Sequence, residues 1–271
     1  MSSSKIGYCL DMKPEGFFHR NRFSERVATF LYKHYQSLRT NVQYHFNRLL
    51  NESDSYFLSS ESNSALDHVQ VAYINLEKRS DRREKVEKEF KRVKFHNVLR
   101  IPAHQMNPPG QGCTYSHKLA IEVRFAPSFK LLMICEDDAR FMKTSMEISE
   151  ILNEFIYSNE ADVLCLGFYL TESEIPFSNV FQRLHNSQSA VCYILKPHMV
   201  KKFIDICDLS LARYLKNPDD PNAAIDQVWK LLQKDYVFVA PYSPYVTQRP
   251  SYSDIAGGYA RYPSQSRRVK K

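Results

Sequence analysis

Glycine is scarce in this sequence, with 7 among 271 residues, and the glycine-rich motifs of common nucleotide sites are missing. The chain has neither the GxGxxG pattern of a dinucleotide-binding turn nor the GxxxxGK[ST] pattern of a P-loop. It also lacks the GxSxG pattern that carries the nucleophile of α/β-hydrolases. Ordinary dinucleotide and P-loop sites are therefore excluded, and so is a serine nucleophile on that type of elbow.

Long hydrophobic runs are missing as well. No stretch approaches the ~20 apolar residues that a membrane span needs, and the first residues lack the apolar segment of a secretory signal. The six cysteines include no CxxC pair, which argues against a zinc cluster, and isolated cysteines in apolar runs are typical of free thiols in a reducing compartment. We expect a cytoplasmic protein without a transmembrane span, with peripheral membrane contact left open.

Aromatic and charged residues are plentiful by contrast. The 17 Tyr, the 17 Phe and a hydrophobic content of 43% indicate a globular protein with a substantial core. The net charge of +7 is uneven, because four positive charges lie in the last residues, Arg267, Arg268, Lys270 and Lys271. Such a balance can attract nucleic acid, an anionic membrane or an anionic substrate, but a solvated tail and a charged helix face explain it equally well. No nucleic-acid partner is expected.

Three regions differ in their patterns. Residues 1–66 combine a predicted helix over 24–50 with a Ser-rich linker, and we interpret them as an N-terminal helical extension. Residues 67–262 alternate between strands and helices. Residues 263–271 form a basic tail that we expect to be disordered.

Alternation within residues 67–262 predicts the fold class. Apolar runs predict strands at 69–76, 98–101, 131–135, 163–166, 191–195 and 236–240. Helical spacing and capping residues predict helices at 81–93, 116–125, 145–157, 197–207 and 222–232. This order is typical of an α/β layered fold with a mainly parallel sheet.

Three acids, Glu136, Asp137 and Asp138, directly follow the predicted strand 131–135. Adjacent carboxylates repel one another, so a fold tolerates them in water or on a cation. In open α/β sheets ligands bind at the carboxyl ends of strands, where acids can hold Mg²⁺ or Mn²⁺. A cation there could bridge a diphosphate. The alternative is a solvated acidic turn.

A second group lies where the first predicted strand meets its helix. Asn75 and Leu76 end the strand, and Arg79, Arg82 and Arg83 follow at the start of the helix. Arginine forks suit phosphates, and a helix N-terminus favours anions. The alternative is a surface helix on which these arginines pair with its own glutamates.

Two further candidates stand alone. His117, after the predicted N-cap Ser116, could ligate a metal, act as a base or fill a first helical turn. Asp226 lies close to the only tryptophan, Trp229, so a general base could stand beside an aromatic platform for a sugar. The alternative for Asp226 is an acid favoured by the helix dipole.

The order of these motifs resembles glycosyltransferase family 25, the lipooligosaccharide and procollagen galactosyltransferase-like group. The matching residues run from Val71 to Ile255 and leave the first 66 outside: Ile74-Asn75-Leu76 with Arg79 and Asp81-Arg82-Arg83; Gly112-Cys113 with Ser116-His117; Ile134 with Glu136-Asp137-Asp138-Ala139 and Phe141; residues 190–194 (AVCYI); Asp226; and Ser253-Asp254-Ile255. Cys135 departs from the aliphatic residue that is usual there.

The resemblance implies a GT-A-like (Rossmann-like) fold that binds a nucleotide sugar. It implies a UDP-sugar donor of galactose or glucose, a divalent cation (Mn²⁺ or Mg²⁺), inversion at the anomeric carbon, and a glycan, glycolipid or protein acceptor. Residues 67–262 would be the glycosyltransferase domain. The implied donor-binding residues are Asn75, Leu76, Arg79, Arg82, Ser116, His117 and Asp137; the implied metal ligands are Glu136 and Asp138; and the implied base is Asp226.

Two other functions stay open. One is a non-catalytic module that binds a nucleotide sugar or recruits a partner through residues 1–66 or the basic tail. The other is a metal-dependent phosphodiesterase that uses the same acids, although the sequence lacks a His/Asp cluster of the two-metal type.

Overall fold

Residues 64–122, 129–170, 175–253, 255 and 257–260 are described by a computed structural model of the protein. The predicted helix over 24–50, most of the Ser-rich linker and the tail 263–271 lie outside the described residues. The predicted boundary between residues 66 and 67 falls inside a short 3-10 helix, Ala65–His68, whose first two residues are buried in the core.

Strands and helices alternate along most of the described chain. The strands are β1 (Val69–Asn75), β2 (Val98–Pro102), β3 (Leu131–Glu136), β4 (Ala139–Phe141), β5 (Val163–Cys165), β6 (Ile175–Pro176), β7 (Phe181–Leu184), β8 (Cys192–Leu195), β9 (Phe238–Pro241), β10 (Val246–Gln248), β11 (Ser251–Ser253) and β12 (Gly258–Ala260). The helices are α1 (Ser80–Arg92), α2 (Pro109–Glu122), α3 (Ser145–Tyr157), α4 (Met199–Lys216) and α5 (Ile225–Val228), with a second 3-10 helix at Trp229–Lys234.

The central sheet has eight strands in the order β2-β1-β3-β8-β5-β9-β7-β6. β1 is parallel to β2 and β3, and β5 is parallel to β9. β8 is antiparallel to both of its neighbours, and β7 is antiparallel to β9 and β6. All strands of this central sheet except β7 and β8 therefore run in one direction, and the predicted α/β class with a mostly parallel sheet is confirmed.

Burial on both faces explains the apolar strands. All seven residues of β1 are buried, and helices cover the sheet because each carries an apolar stripe. On one face Val86 and Phe90 of α1 and Phe155 of α3 join the core. Four aromatic residues form a second cluster: Tyr193, Phe203, Trp229 and Phe238. The centroids of contacting rings in this cluster lie 5.3–6.2 Å apart.

Trp229 is not a platform for a sugar. Its side chain is fully buried in the aromatic cluster, and its indole N–H donates a hydrogen bond to the Ser187 carbonyl at 3.0 Å. The interpretation of Trp229 as an aromatic platform for a sugar beside Asp226 is wrong, because a large ring gains more free energy from burial in the core than from exposure to water.

Helix boundaries follow their capping chemistry. α3 begins and ends at the predicted residues. Thr144 and Glu147 form a reciprocal capping box that fixes its start. The predicted N-cap role of Ser116 is wrong, since α2 already begins at Pro109, a residue suited to a first helical position. The helix predicted over 222–232 is instead the short α5 followed by a 3-10 helix.

The candidate residues converge on one edge of the sheet. β1 and β3 are parallel neighbours in which Ile74 pairs with Glu136, so both strands deliver their carboxyl ends to the same place. β10 pairs with β4 just beyond the acids, and the Arg249 N–H donates to the Asp138 carbonyl at 2.7 Å. Within the described ranges, no helix has the length and apolar character needed to cross a membrane.

Gly112 provides a test of how tightly α2 packs. A Cβ added there would lie 2.3 Å from the His104 carbonyl oxygen and 2.9 Å from the Met106 nitrogen, both backbone atoms. In an unobstructed helix Gly→Ala would stabilise by about 1 kcal/mol. We instead expect Gly112→Ala to lower the free energy of unfolding by about 1–3 kcal/mol, measured by urea denaturation, because backbone must move.

Gly258→Ala is the matched control. A Cβ at Gly258 meets no atom of the described residues within 4 Å, so the change in unfolding free energy should stay within about 0.5 kcal/mol. A Gly112→Ala protein as stable as the wild type would show that the backbone of residues 104–106 leaves room for a Cβ at position 112.

Candidate functional site

The acidic triplet, Glu136, Asp137 and Asp138, leaves the end of β3 beside the end of β1. The Asp137 and Asp138 residues are 6% and 5% exposed, and the Glu136 side chain is 25% exposed. A solvated acidic turn would expose all three carboxylates. The alternative interpretation of these acids as such a turn is therefore excluded.

Asp137 is held by both neighbouring elements. Its Oδ2 accepts from Asn75 Nδ2 and its Oδ1 from Arg82 Nη1, each at 2.8 Å. Burial raises the pKa of Asp137, while Arg82 and Asn75 act in the opposite direction. Arg82 also donates to the Ser251 hydroxyl and the Tyr252 carbonyl, so Asp137 fixes an arginine that joins α1 to β11.

Asp138 is the unsatisfied member of the triplet. Its Oδ1 is buried and has no hydrogen-bond partner among the described residues, and its Oδ2 lies 3.7 Å from Arg82 Nη1. Burial, followed by the Glu136 carboxylate, raises the pKa of Asp138 to about 8. A buried carboxylate with an empty coordination direction and a raised pKa fits a divalent cation, which would supply the missing partner and compensate the repulsion.

Gln248 lies between the two acids that the sequence assigned to a metal. Its Nε2 is 3.3 Å from Glu136 Oε2, and its side chain also hydrogen-bonds Asp138. Glu136 and Asp138 thus share a neutral amide donor. An amide is a weaker partner for two carboxylates than a cation would be.

A cavity of about 440 Å³ opens beside Asp137 and Asp138. We call it the anion cavity, because five cationic side chains line it against three carboxylates: Arg79, Arg82, Lys85, Arg140 and Arg249 against Asp81, Asp137 and Asp138. Among the described residues Lys85 and Arg140 form no salt bridge, whereas Arg79 pairs with Asp81 at 2.8 Å and Arg249 with Glu89 at 2.7 Å. The excess positive charge favours an anionic ligand.

His117 lies on the other side of Glu136. Its ring is fully buried, with Nδ1 3.0 Å from the Tyr193 hydroxyl and Nε2 3.4 Å from Glu136 Oε1. Cys113, one turn earlier in α2, places its sulfur within 4.8 Å of the ligand atoms of His117 and Glu136. Burial, and to a smaller extent Glu136 and Asp226, raise the pKa of the Cys113 thiol well above its ordinary value.

Asp226 lies close enough to Glu136 for that carboxylate to help raise its pKa, although burial is the larger cause. Its Oδ2 accepts the Ser189 N–H at 3.0 Å, and its Oδ1 is 3.4 Å from Gln227 Nε2. Ser189 has a φ of 97°, in the left-handed region. Asp226 therefore also stabilises a strained backbone position, a role that needs no catalysis.

The structure separates the predicted donor-binding residues into two groups. Arg79, Arg82 and Asp137 line the anion cavity together with Asp138. Asn75 does not line the cavity but holds two of these residues in place, because its Nδ2 donates to Asp137 and to the Arg79 carbonyl. Their role in binding a donor stays a prediction.

Three other predicted residues lie outside the cavity lining. Leu76 is half-buried, and its carbonyl accepts the Arg79 N–H at 2.9 Å. Ser116 is buried, donates to the Gly112 carbonyl at 2.7 Å and accepts the His104 N–H at 2.8 Å. His117 instead joins Glu136 and Cys113. Roles for these three in donor binding likewise stay predictions.

Sequence reasoning missed Cys113, Tyr193, Gln248 and Arg249. Cys113 stands four residues before His117, a spacing that puts both on one helix face, but a helix predicted to begin at Ser116 hides this relation. Tyr193 lies inside a correctly predicted strand, where nothing in the sequence marks its hydroxyl. Gln248 and Arg249 reach the acids through pairing of β10 with β4, a contact between segments more than 100 residues apart that leaves no local pattern.

No family model matches the chain, and no curated protein matches it significantly. Among solved structures, similar ones include A197 from STIV (9% identity, 75% of this chain and 98% of that chain, TM-score 0.40) and a glycosyltransferase involved in the glycosylation of the major capsid of PBCV-1 (9%, 70% and 96%, 0.44). A third is mannose-1-phosphate geranyltransferase from Thermus thermophilus (9%, 64% and 73%, 0.38). The second and third are transferases by name. Matches at this level assign no family, so the resemblance to family 25 stays a prediction.

The raised pKa of Asp138 makes stability depend on pH. Between about pH 4 and pH 8 the folded chain keeps a proton on Asp138 that the unfolded chain releases, so this group lowers the free energy of unfolding as pH rises through that window. Asp138→Asn removes the carboxylate and keeps the shape. We expect the metal-free variant to be more stable than the wild type at pH 8 by about 1–3 kcal/mol, with a difference that shrinks toward pH 4.

Urea denaturation in chelator at pH 5 and pH 8 measures this effect. Asp81→Asn is the control, because the hydrogen bond from Arg79 lowers the pKa of Asp81 to about 2 and its removal should not stabilise the protein. An Asp138→Asn protein less stable than the wild type at pH 8 would mean that the carboxylate has a favourable partner in the metal-free state.

Proposed function

We propose that the chain is a metal-dependent glycosyltransferase that moves a hexose, galactose or glucose, from a UDP-sugar to a glycan, glycolipid or protein acceptor with inversion. The observation that carries this proposal is Asp138, a buried carboxylate beside a cavity rich in cationic side chains. One oxygen of this carboxylate has no hydrogen-bond partner within the described ranges. A donor that combines a divalent cation with a diphosphate matches both halves of that arrangement.

Glu136 and Asp138 would hold the cation. Carboxylate oxygens suit Mg²⁺ and Mn²⁺, and Asp138 offers a buried oxygen that has no hydrogen-bond partner in the described part of the chain. A bound cation would neutralise charge on the diphosphate as the nucleotide leaves. The side chain of Gln248, which contacts both acids, would have to move aside to make room for the cation.

The anion cavity would hold the diphosphate. Its volume of about 440 Å³ lies within the ~300–1,000 Å³ of typical ligand pockets. Arg82 is oriented by Asp137, and Lys85 and Arg140 form no salt bridge within the described chain, so their charge is available to phosphate oxygens. Fixed donors around a diphosphate stabilise its developing charge without reorganising during the reaction.

Asp226 is the proposed general base. Its raised pKa brings a carboxylate closer to the range in which it can accept a proton from an acceptor hydroxyl. In a single displacement the acceptor oxygen bonds to the anomeric carbon, the bond from that carbon to the UDP oxygen breaks, and the acceptor proton moves to Asp226. UDP departs with the bonding electron pair, and the anomeric configuration inverts.

UDP release from a panel of UDP-sugars, with Mn²⁺ or with chelator, tests the proposal. We expect slow donor hydrolysis confined to one or two sugars, abolished by chelator and lowered about 10²-fold or more in Asp138→Asn. Asp208→Asn is the control, since Asp208 is an exposed acid outside the cavity lining. Metal-dependent UDP binding without turnover would favour a non-catalytic binding module, and the absence of both would reject the transferase.

Asp226→Asn separates catalysis from the support of Ser189. Asparagine keeps an oxygen that can accept the Ser189 N–H, and burial raises the pKa of Asp226, so the unfolding free energy at neutral pH should not fall. Loss of the base should lower turnover about 10²–10⁴-fold and leave the donor KM unchanged. The readouts are turnover against pH and donor KM once an acceptor is found. Unchanged turnover would remove Asp226 from the role of base.

A further inference from the structure

We propose that Cys113, His117 and Glu136 form a second metal site, suited to Zn²⁺ or a similar divalent transition-metal ion. The proposal rests on the cluster itself and does not depend on the sugar-transfer function. It goes beyond the sequence, in which the lack of a CxxC pair argued against zinc.

The geometry comes from one helix and one strand. Cys113 and His117 stand one turn apart on the same face of α2, and Glu136 is the last residue of β3. In a tetrahedral site with bonds of about 2.0–2.3 Å, ligand atoms lie roughly 3.5 Å from one another. The separation of 3.4 Å between His117 Nε2 and Glu136 Oε1 already meets this value, and all three ligand atoms lie within 4.8 Å. Side-chain adjustments of about 1 Å would complete the triangle.

The contacts of His117 suit a metal ligand in the tautomer that carries its proton on Nδ1. The Tyr193 hydroxyl lies 3.0 Å from Nδ1, and a Nδ1–H donated to that oxygen leaves the Nε2 lone pair directed at Glu136. Tyr193 is itself fully buried and packs against Phe203 and Trp229 at centroid distances of 5.5 and 5.3 Å. The imidazole is therefore fixed before any ion arrives.

The donor set differs in chemistry from the pair Glu136 and Asp138. A thiolate and an imidazole select Zn²⁺ and related ions over Mg²⁺ and Mn²⁺, which prefer oxygen ligands. Three protein ligands leave a fourth position for water or a substrate atom. The Glu136 side chain is 25% exposed, whereas His117 is fully buried, so the cluster lies between the core and the surface.

Glu136 would connect this ion to the anion cavity. Its Oε1 faces His117, and its Oε2 lies 3.3 Å from Gln248, which lines the cavity. An ion bound through Oε1 would hold the carboxylate in one orientation and so position Oε2 at the cavity edge. Without the ion the same residues would form only a Tyr193–His117–Glu136 hydrogen-bond network, and this is the alternative that the test must separate.

Titration of the full metal-free chain with Co²⁺ alone, without nucleotide or sugar, tests the site. We expect one equivalent to bind with visible absorption typical of tetrahedral Co²⁺ and a near-ultraviolet band of a thiolate–cobalt bond, both lost when Zn²⁺ displaces it. Cys113→Ser should lose the thiolate band, whereas Cys165→Ser, a buried cysteine outside the cluster, should keep it. His117→Gln should weaken binding more than 10-fold, and Tyr193→Phe roughly 10-fold.

Far-ultraviolet circular dichroism and thermal unfolding show which variants fold. If Cys113→Ser does not fold, His117→Gln and Tyr193→Phe carry the test. A folded wild type that shows no thiolate–cobalt band, or equal Co²⁺ affinity measured by that band in the wild type and His117→Gln, would overturn the proposal in favour of the hydrogen-bond network. Asp138→Asn should keep the thiolate band while losing metal-dependent UDP release, so failure of one proposal is distinguishable from failure of the other.

Discussion

The ion pair between Arg82 and Asp137 is the interaction on which the candidate site at the carboxyl ends of β1 and β3 depends. Two adjacent carboxylates buried at the end of β3 would repel each other strongly, because little water screens them. Arg82 satisfies one and, through Ser251 and Tyr252, ties α1 to β11, while Asn75 links the same carboxylate to β1. With that pair satisfied, Asp138 is the less compensated acid, because its Oδ1 has no partner among the described residues and its Oδ2 lies 3.7 Å from Arg82. The free-energy cost of burying negative charge therefore falls mainly on Asp138, the residue proposed to bind a cation.

That cost is typical of residues retained for function rather than for stability. Residues that are unfavourable where the fold places them are most often found at functional sites. Asp138 is such a residue, because one oxygen of its carboxylate is buried without a hydrogen-bond partner among the described residues. The strained backbone at Ser189, held by Asp226, is a second one in the same neighbourhood. The apolar residues of β1, by contrast, agree with the fold, although Gln70 in the same strand is buried without a hydrogen-bond partner for its side-chain amide among the described residues.

Much of the fold was predictable because its determinants are local. The capping box of α3 and the apolar strands β1 and β3 carry their pattern within a few residues, and the acids were recognised from their place after a strand. The cluster at Cys113 was not predictable, since it required knowing that α2 begins at Pro109. Gln248 depended on long-range pairing, and Trp229 was misassigned because a lone aromatic near an acid has the same local pattern in a core as at a binding surface.

The reversed direction of β8 changes which loops can shape the site. In a purely parallel sheet only the segments that follow the strands reach the carboxyl edge. Because β8 runs against β3, with Tyr193 opposite Ile134 and Cys192 opposite Cys135, the segment that precedes β8 arrives at that edge too. Ser189, which Asp226 contacts, belongs to this segment. The loop before a strand, free of the register that the sheet imposes, thus gives the chain a place where length and composition can change beside the site while the strand pairing stays intact.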